Sequence, residues 1–498
     1  MNSRFVAYIT VLTIVLFGAP SSGFAQDRAS SDSLYWSGDS LVTRTVNGRS
    51  QSMLLGARLT QGATSIRADT GVDEGDGIYT FRGNVRIVEK ADTIDAPFVR
   101  YDRNTKIGRA SGGVRLTDGS VVVRSPAAVH YSREERTAFE NGVAYEDSSA
   151  SLTARTAVYF SNEERVDFRG GVRLKQDSTR VFADSLRYFR ESEESTAAGR
   201  VAVVTDESDR VTVLFADRLE RYASNDSTVA VGRAALRTVT SNSADTLFVS
   251  AGSLVLTSSD VDRLTARDSV VVVSGRFSAR SDSLVHRRTD SLSTSRFIGS
   301  PVAWVRRTQI RADTIRTIGD GGSIRRIGGG GGVFVAAFDS LTGRIQQMSG
   351  RTLTARLRSD TLRSIVVGPN ARGIFFQERA SANEDAAGDS VSAEPAVGAT
   401  VASADSLRLY FSGGDVDSLA FVGVVEGSWY SPNLISRVSD LDGYSWTPEL
   451  EPDIRHIRTL FRETMSRRVT QRAAPSLDVG RSPPADTTST SNRIHGDR

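Results

Sequence analysis

The stretch "VDFRGGVRLKQDSTRVFADSLRYF", Val166–Phe189, decides how the rest of the chain is read, because variants of it return on both sides. "YTFRGNVRIVEKADTIDAPFVRYD" begins at Tyr79 and "TAFENGVAYEDSSASLTARTAVYF" at Thr137. Each holds an aromatic residue, a glycine, an alternating Val-x-Ile/Leu/Tyr run, an Asp-Ser/Thr pair and a second alternating run ending in Tyr or Phe. The valine after the glycine falls at Val85, Val114, Val143, Val172 and Val201, in four steps of 29 residues. A small alanine of the second half falls at Ala68, Ala96, Ala127, Ala154, Ala183, Ala216, Ala251, Ala279, Ala312, Ala355 and Ala404, with spacings that lengthen to 43 and 49 late in the chain. Self-similarity at a fixed period of this size marks a repeat architecture.

Each unit reads as β. Val85–Ile87, Val114–Leu116 and Val172–Leu174 alternate apolar with arginine, the period of a half-buried strand. Val211, Val213 and Phe215 share one face of another strand, with Thr212 and Leu214 on the other. Asp-Ser, Asn-Gly and Asp-Gly clusters supply the turns between runs. A single unit buries too little to stand alone, so neighbours stack to close an apolar interior. The strands are too short and too charged for an outer-membrane barrel, whose strands need about 9–11 residues and a lipid-facing apolar band. The expected fold is all-β: tandem repeats of about 29 residues stacked as two facing antiparallel sheets, with a short C-terminal helix.

The ends and interruptions set the organisation. Arg4, the apolar run Phe5–Phe17 and "GFA" at Gly23–Ala25 predict a cleavable signal peptide over 1–25 and an exported protein. Residues 26–56 read as a leader, 57–240 as the clearest repeats and 241–435 as divergent ones. "GGGGG" at Gly328–Gly332 reads as a flexible joint. Residues 378–405 are small, polar and acidic, the composition of an unstructured insertion. Ile454, Ile457, Leu460 and Phe461 keep helical spacing within a helical segment over 436–465, placed either over the last strand or on a partner. Residues 466–498 read as a disordered tail.

Composition removes whole classes of chemistry. The chain has 498 residues, no cysteine and a net charge of only +3, which gives no case for nucleic acid and none for disulfides or thiolate metal sites. Its 62 basic residues include only three lysines (Lys90, Lys106, Lys175). His130, His286, His456 and His495 are scattered, without metal-ligand spacing, and no phosphate-binding loop or nucleophile elbow occurs. The pairs Asp92-Thr93, Asp177-Ser178 and Asp184-Ser185 read as turn chemistry. No enzyme, metal or cofactor is expected. What the repeat builds is a ladder of inward residues: Val85, Ile87, Val114, Leu116, Val143, Tyr145, Val172, Leu174, Val201 and Val203. Arg86, Arg115 and Arg173 take the opposite face. Alternation alone leaves open whether that ladder is a closed core or lines a groove.

"GIYTFRGNVRIVEKADTIDAPFVRYDRNTKIGRASGGVRLTDGS", Gly77–Ser120, resembles the OstA/LptA-type periplasmic domain of lipopolysaccharide transport. The family's elements map to Gly83-Asn84-Val85, to Ile94, Ala96, Val99 and Tyr101, and to Ala110, Gly112 and Val114. The resemblance is clearest from Thr60 to Tyr222 and fades towards Phe421. It implies an open β-jellyroll with an apolar groove for the acyl chains of lipid A, located in the periplasm or associated with the outer membrane. It also implies inner- and outer-membrane transport partners, or further copies of the chain, paired through edge strands near Leu54–Arg67 and Leu419–Tyr430. Eleven units would extend roughly 50–105 Å at one or two strand spacings each. Two other readings are a structural or adhesive envelope repeat protein with a closed core, and, with less support, a polysaccharide-active solenoid enzyme.

Overall fold

The chain runs as an antiparallel meander of rungs, each pairing with the rung before and the rung after it; where a rung is broken in two, its halves pair separately, as Arg136–Glu140 does with Thr156–Phe160 and Val143–Glu146 with Ala150–Ala154. The computed structural model describes residues 34–470 apart from 47–48, 209, 241–245, 258–261, 290–291, 321–322, 379–396 and 413–414. The expected signal peptide, the tail beyond Thr470 and most of the expected insertion lie outside the described residues. Among the described residues 34 strands form one sheet. Fourteen of them run unbroken, such as Ile78–Glu89, Thr179–Phe189 and Ser227–Thr240, while the other twenty are halves of ten rungs broken in the middle.

The break is the element that shapes the molecule. In Ile78–Glu89 the pairing with Asp92–Asp102 shifts between Arg82 and Val85, so Gly83 and Asn84 face one residue of the partner. Both are left-handed, at φ of 74° and 44°. The same shift recurs between Arg169 and Val172, Ala198 and Val201, and Val231 and Ala234. Such a bulge bends its strand sharply. In Asp92–Asp102 the buried residues are Ile94 and Ala96, then Val99 and Tyr101, so the inward face changes parity at the bend. Each rung therefore folds on itself with both halves facing one interior.

Contacts across that interior confirm the two facing sheets. Tyr145 meets Phe168 edge-on with ring centroids 5.8 Å apart, Phe375 meets Phe421 in the same way at 5.8 Å, and Phe277 packs against a tilted Phe297 at 5.9 Å. In each pair the two residues belong to opposite halves of the sheet. The sequence-derived picture of a stacked all-β array with two facing antiparallel layers is thus the observed one.

Several local expectations change. Strands already begin at Leu34–Ser37 and Ser40–Val46, so residues read as leader form the first rung. Gly328–Gly332 is no joint: it lies within strand Ser323–Phe338, paired on both sides, and its last two glycines make the corner bulge. The end of the expected insertion, Val397–Ala404, is a strand. The ladder also runs on from Ser227–Thr240 to Thr246–Thr257, across the boundary drawn at 240/241. Three members of the alanine series do not take the corner place: Ala355 is five places past Gly350, the partner of Val333, and Ala127 and Ala279 are each two places from a serine. Ser125 and Ser281 pair with Val114 and Val270, as Ala96 pairs with Val85. Each serine hydroxyl donates to a corner carbonyl, Ser125 to Ala127 O at 2.9 Å and Ser281 to Ser283 O at 3.0 Å.

The C-terminal segment returns over the outside of the array. Gln347 donates to Asp440 Oδ1 and accepts from Leu441 N, and Gln309 donates to Ser445 O at 2.8 Å and accepts from Thr447 N at 2.9 Å. The helix Ile454–Thr470 then packs against the outer face of the sheet's middle, where Phe461 lies 4.5 Å from Phe215 and 5.5 Å from Phe248 between ring centroids. It sits far from the last strand. Ala202, Val204, Val213 and Val273 complete this second apolar cluster.

Candidate functional site

The interior is graded from bend to mouth. Small residues line the bend, among them Ala154, Ala183, Ala216, Ala234 and Ala251, all buried. Valine and leucine follow. Towards the hairpin tips the inward positions become polar, with Thr179, Thr205 and Thr238 on one rim and Arg190, Arg221 and Thr228 on the other. Thr179 and Thr205 hydroxyls share a hydrogen bond at 3.2 Å. A cross-section is therefore apolar at the bottom and polar at the opening.

The two rims meet over the first repeats. Tyr101 OH donates to Gln61 Oε1 at 2.8 Å, His130 Nε2 and Glu89 Oε2 lie 2.6 Å apart, and Lys90 pairs with Glu135 at 2.9 Å. The His130 hydrogen bond, working against burial, holds the Glu89 carboxyl below the usual range. Further on, Arg190 reaches Asp118 at 2.9 Å with both groups largely buried. Rims meet again later in the chain, where Asp415 accepts from Arg307 at 3.4 Å and from Ser340 at 2.9 Å.

Between these stretches the rims part. A groove of about 80 Å³ opens there, floored by Val203, Leu214, Leu236, Leu247, Leu256 and Leu264. Thr205, Arg210, Thr212 and Thr238 stand on one lip, and Arg221, Asp226, Thr228, Arg263, His286 and Arg288 on the other. His286 Nδ1 lies 2.9 Å from Ser295 Oγ. Burial, and then the neighbouring Arg288 charge, push its pKa down to about 4, so the ring is neutral at pH 7.

The ladder proposed from sequence lies wholly inside. Val85, Val143 and Val172 are each 1% exposed, Val201 is fully buried, and Ile87, Val114, Leu116, Tyr145, Leu174 and Val203 are buried with them. Of these, only Val203 reaches the open groove. The others pack in the stretch whose rims are bridged. Arg86 and Arg115 point outward to Asp95, at 2.6 and 3.7 Å. Of the Asp-Ser and Asp-Thr pairs read as turns, Asp177-Ser178 joins strands Arg165–Gln176 and Thr179–Phe189, whereas Asp92 begins strand Asp92–Asp102 and accepts from Ser161 Oγ at 3.3 Å. Asp184 does something else, lying at a bend and pairing with Arg200 at 2.6 Å.

The groove residues from Thr205 to Arg288 escaped the sequence reading, although a signal was present. "VAVVTD" and "VTVLFAD", at 201–206 and 211–217, are apolar on both faces, the mark of a strand covered on both sides. Here one face lines the groove and the other carries the helix.

Comparison with known proteins bears on the stretch that precedes this groove. Residues 65–194 match the family described as LptA/(LptD N-terminal domain) LPS transport protein. Among solved structures, LptH of Pseudomonas aeruginosa, described as the LptA homologous periplasmic component of the lipopolysaccharide transport device, is similar over 29% of this chain and 95% of its own. The identity is 14% and the TM-score 0.17. No curated protein matches. The positions that carry the resemblance in the sequence, Gly83 to Val114, fall inside the matched stretch, and over residues 65–194 this chain therefore carries the LptA/LptD N-terminal-domain pattern of lipopolysaccharide-transport proteins.

Proposed function

We propose that this protein binds lipopolysaccharide through its lipid A acyl chains and carries it in the interior of the folded sheet, as a periplasmic bridge towards the outer membrane. One observation supports the reading above all: the interior is graded from apolar floor to threonine- and arginine-lined lips and opens between residues 203 and 288. An amphiphile with fatty chains and an anionic head group fits that gradient. Each methylene moved from water to the floor contributes about 0.8 kcal/mol, while arginine forks suit phosphate on the lip.

The groove is narrow, at about 80 Å³. Loading therefore requires the two halves to part, and the lips at 203–288 are where parting starts. Val85 to Val203 would then line the interior into which chains move along the array. Strand edges would hold inner- and outer-membrane transport partners or another copy.

Photo-crosslinking tests this. A crosslinker at Leu236, on the floor, should trap lipopolysaccharide in cell envelopes, and one at outward-facing Val231 should not. Adducts of equal yield at both positions, or none at Leu236 in folded protein, would return the interior to a plain core and favour the structural reading.

A further inference from the structure

The outer face of the sheet carries an arrangement of charge that the interior does not explain. Strand Ser227–Thr240 turns Leu236 and Thr238 inward to the groove, so Arg237 points outward. Its register neighbours are Val213 on one side and Phe248 on the other. Both belong to the apolar patch under Phe461 of the C-terminal helix. Arg237 is thus pinned against the helix flank, and its Nε is buried without an acceptor among the described residues.

The helix adds more positive charge beside it. Arg458 and Arg462 are one turn apart, both exposed. Neither has an ion-pair partner among the described residues, and the helix's one carboxylate, Glu463, reaches Arg467 instead, at 3.8 Å. Ile454–Thr470 holds five arginines and one glutamate, a net +4 against +3 for the whole chain. Burial, then the charges of Arg458 and Arg462, lower the pKa of Arg237.

At four places elsewhere on the outer face an arginine has a carboxylate partner across the strands. Arg86–Asp95, Arg187–Asp167, Arg200–Asp184 and Arg233–Asp217 lie at 2.6–2.8 Å. Around Arg237 the cross-strand places are taken by valine and phenylalanine. Three clustered cations repel one another, and a buried guanidinium donor left unmade is costly. An anion with several acceptor oxygens relieves both.

We propose that Arg237, Arg458 and Arg462 form a phosphate-binding site on the outer face of the sheet, separate from the groove. Phosphate fits because each guanidinium offers a planar fork to two oxygens, and its multiple charge matches a cluster of three. The phosphate is either free in solution or carried by a lipid head group, and the same three residues would hold it. Because the helix supplies two of the three cations, binding also fastens the helix to the sheet.

The test uses the full-length folded protein and two probes. The first is inorganic phosphate against chloride at matched ionic strength, read by thermal melting and titration calorimetry. The second is sedimentation with phosphatidylglycerol vesicles against phosphatidylcholine vesicles. A phosphate-specific rise in Tm identifies free phosphate, and retention on phosphatidylglycerol alone identifies a head group. Either response should weaken about tenfold in Arg458→Gln, an exposed position where folding is not at stake, and in Arg237→Gln. Arg467→Gln removes the same charge from the far side of the helix and should leave binding intact. Equal losses in Arg458→Gln and Arg467→Gln would reduce the effect to general charge and overturn the site, as would no response to either probe.

Discussion

Gly199 shows how much of this fold rests on single backbone positions. It sits at a bend with φ of 75°, and a Cβ placed there would lie 2.5 Å from Asp184 Oδ2 and 2.8 Å from Asp184 Cβ. Gly113 has a similar left-handed φ of 102°, but nothing lies within 4 Å of the position its Cβ would take. Gly113→Ala should therefore cost only backbone strain, about 1–3 kcal/mol, and Gly199→Ala should cost more, because Asp184 and its Arg200 partner must also move. Urea unfolding of both variants checks the order. His286 makes a pH-dependent prediction. Its folded pKa of about 4 lies below its ordinary 6.5, so the unfolded chain binds the proton more readily. Stability is complete above about pH 6.5 and falls as pH drops towards 4, by up to about 3 kcal/mol. His286→Gln should flatten that part of the stability–pH profile. The valine and alanine periods were readable as ladder positions because inward-facing residues at a bend must be small or β-branched. Ser125 and Ser281 were missed because a serine that satisfies its own corner backbone looks polar in sequence while occupying an alanine's place.

At the scale of elements, the strands were legible and their neighbours in space were not. Alternation shows which residues share a face, but it does not say what covers the other face. The helix is the clearest case. Its spacing at Ile454, Ile457 and Phe461 predicts an amphipathic helix, yet the apolar patch that receives it lies over 200 residues earlier in the chain, on Val213, Phe215 and Phe248. Only the doubly apolar runs at 201–217 hinted at that cover. The five-glycine run misled for a related reason: glycine's freedom suggests a joint in isolation, whereas two paired neighbours hold it as strand. Phe461 is 4% exposed and packs against two phenylalanines, one tilted and one edge-on, so Phe461→Ala should release the helix. Removing a buried phenylalanine costs about 3–5 kcal/mol, more than a helix held mainly by one apolar face is expected to withstand. Hydrogen exchange should then rise over 454–467 while protection in strands such as Thr179–Phe189 is retained. Unchanged exchange in the helix would mean that the strap at Gln309 and Gln347 holds it without the aromatic contact.

Among the described residues the molecule is a ladder with two unpaired ends. Its 34 strands among the described residues, taken as twenty-four rungs, extend about 110 Å at about 4.8 Å per rung, just above the range expected from the repeats because each unit supplies two rungs and the leader adds more. The first edge is not where sequence placed it. Residues 54–67 belong to strands paired on both sides, and the exposed edge is Leu34–Ser37 with Ser40–Val46. The other edge, Asp415–Val422 with Glu426–Tyr430, lies where it was expected, clear of the helix. Both ends carry unusual apolar exposure: Trp36 is 58% exposed at the first and Trp429 53% at the last. Long apolar edges invite strand pairing with another chain, and lysine placed on an edge discourages it. Val42→Lys and Trp429→Lys should each keep the thermal stability of the parent protein, since neither side chain is buried. Each should block assembly at its own end only. With both ends intact, light scattering should show mass rising with concentration or envelope extracts should yield partners at each edge. The single variants should lose one set of partners apiece, and the double variant should stay monomeric. If the double variant assembled and captured partners as well as the parent, the edges would be inert and any bridge would have to be made by faces of the sheet instead.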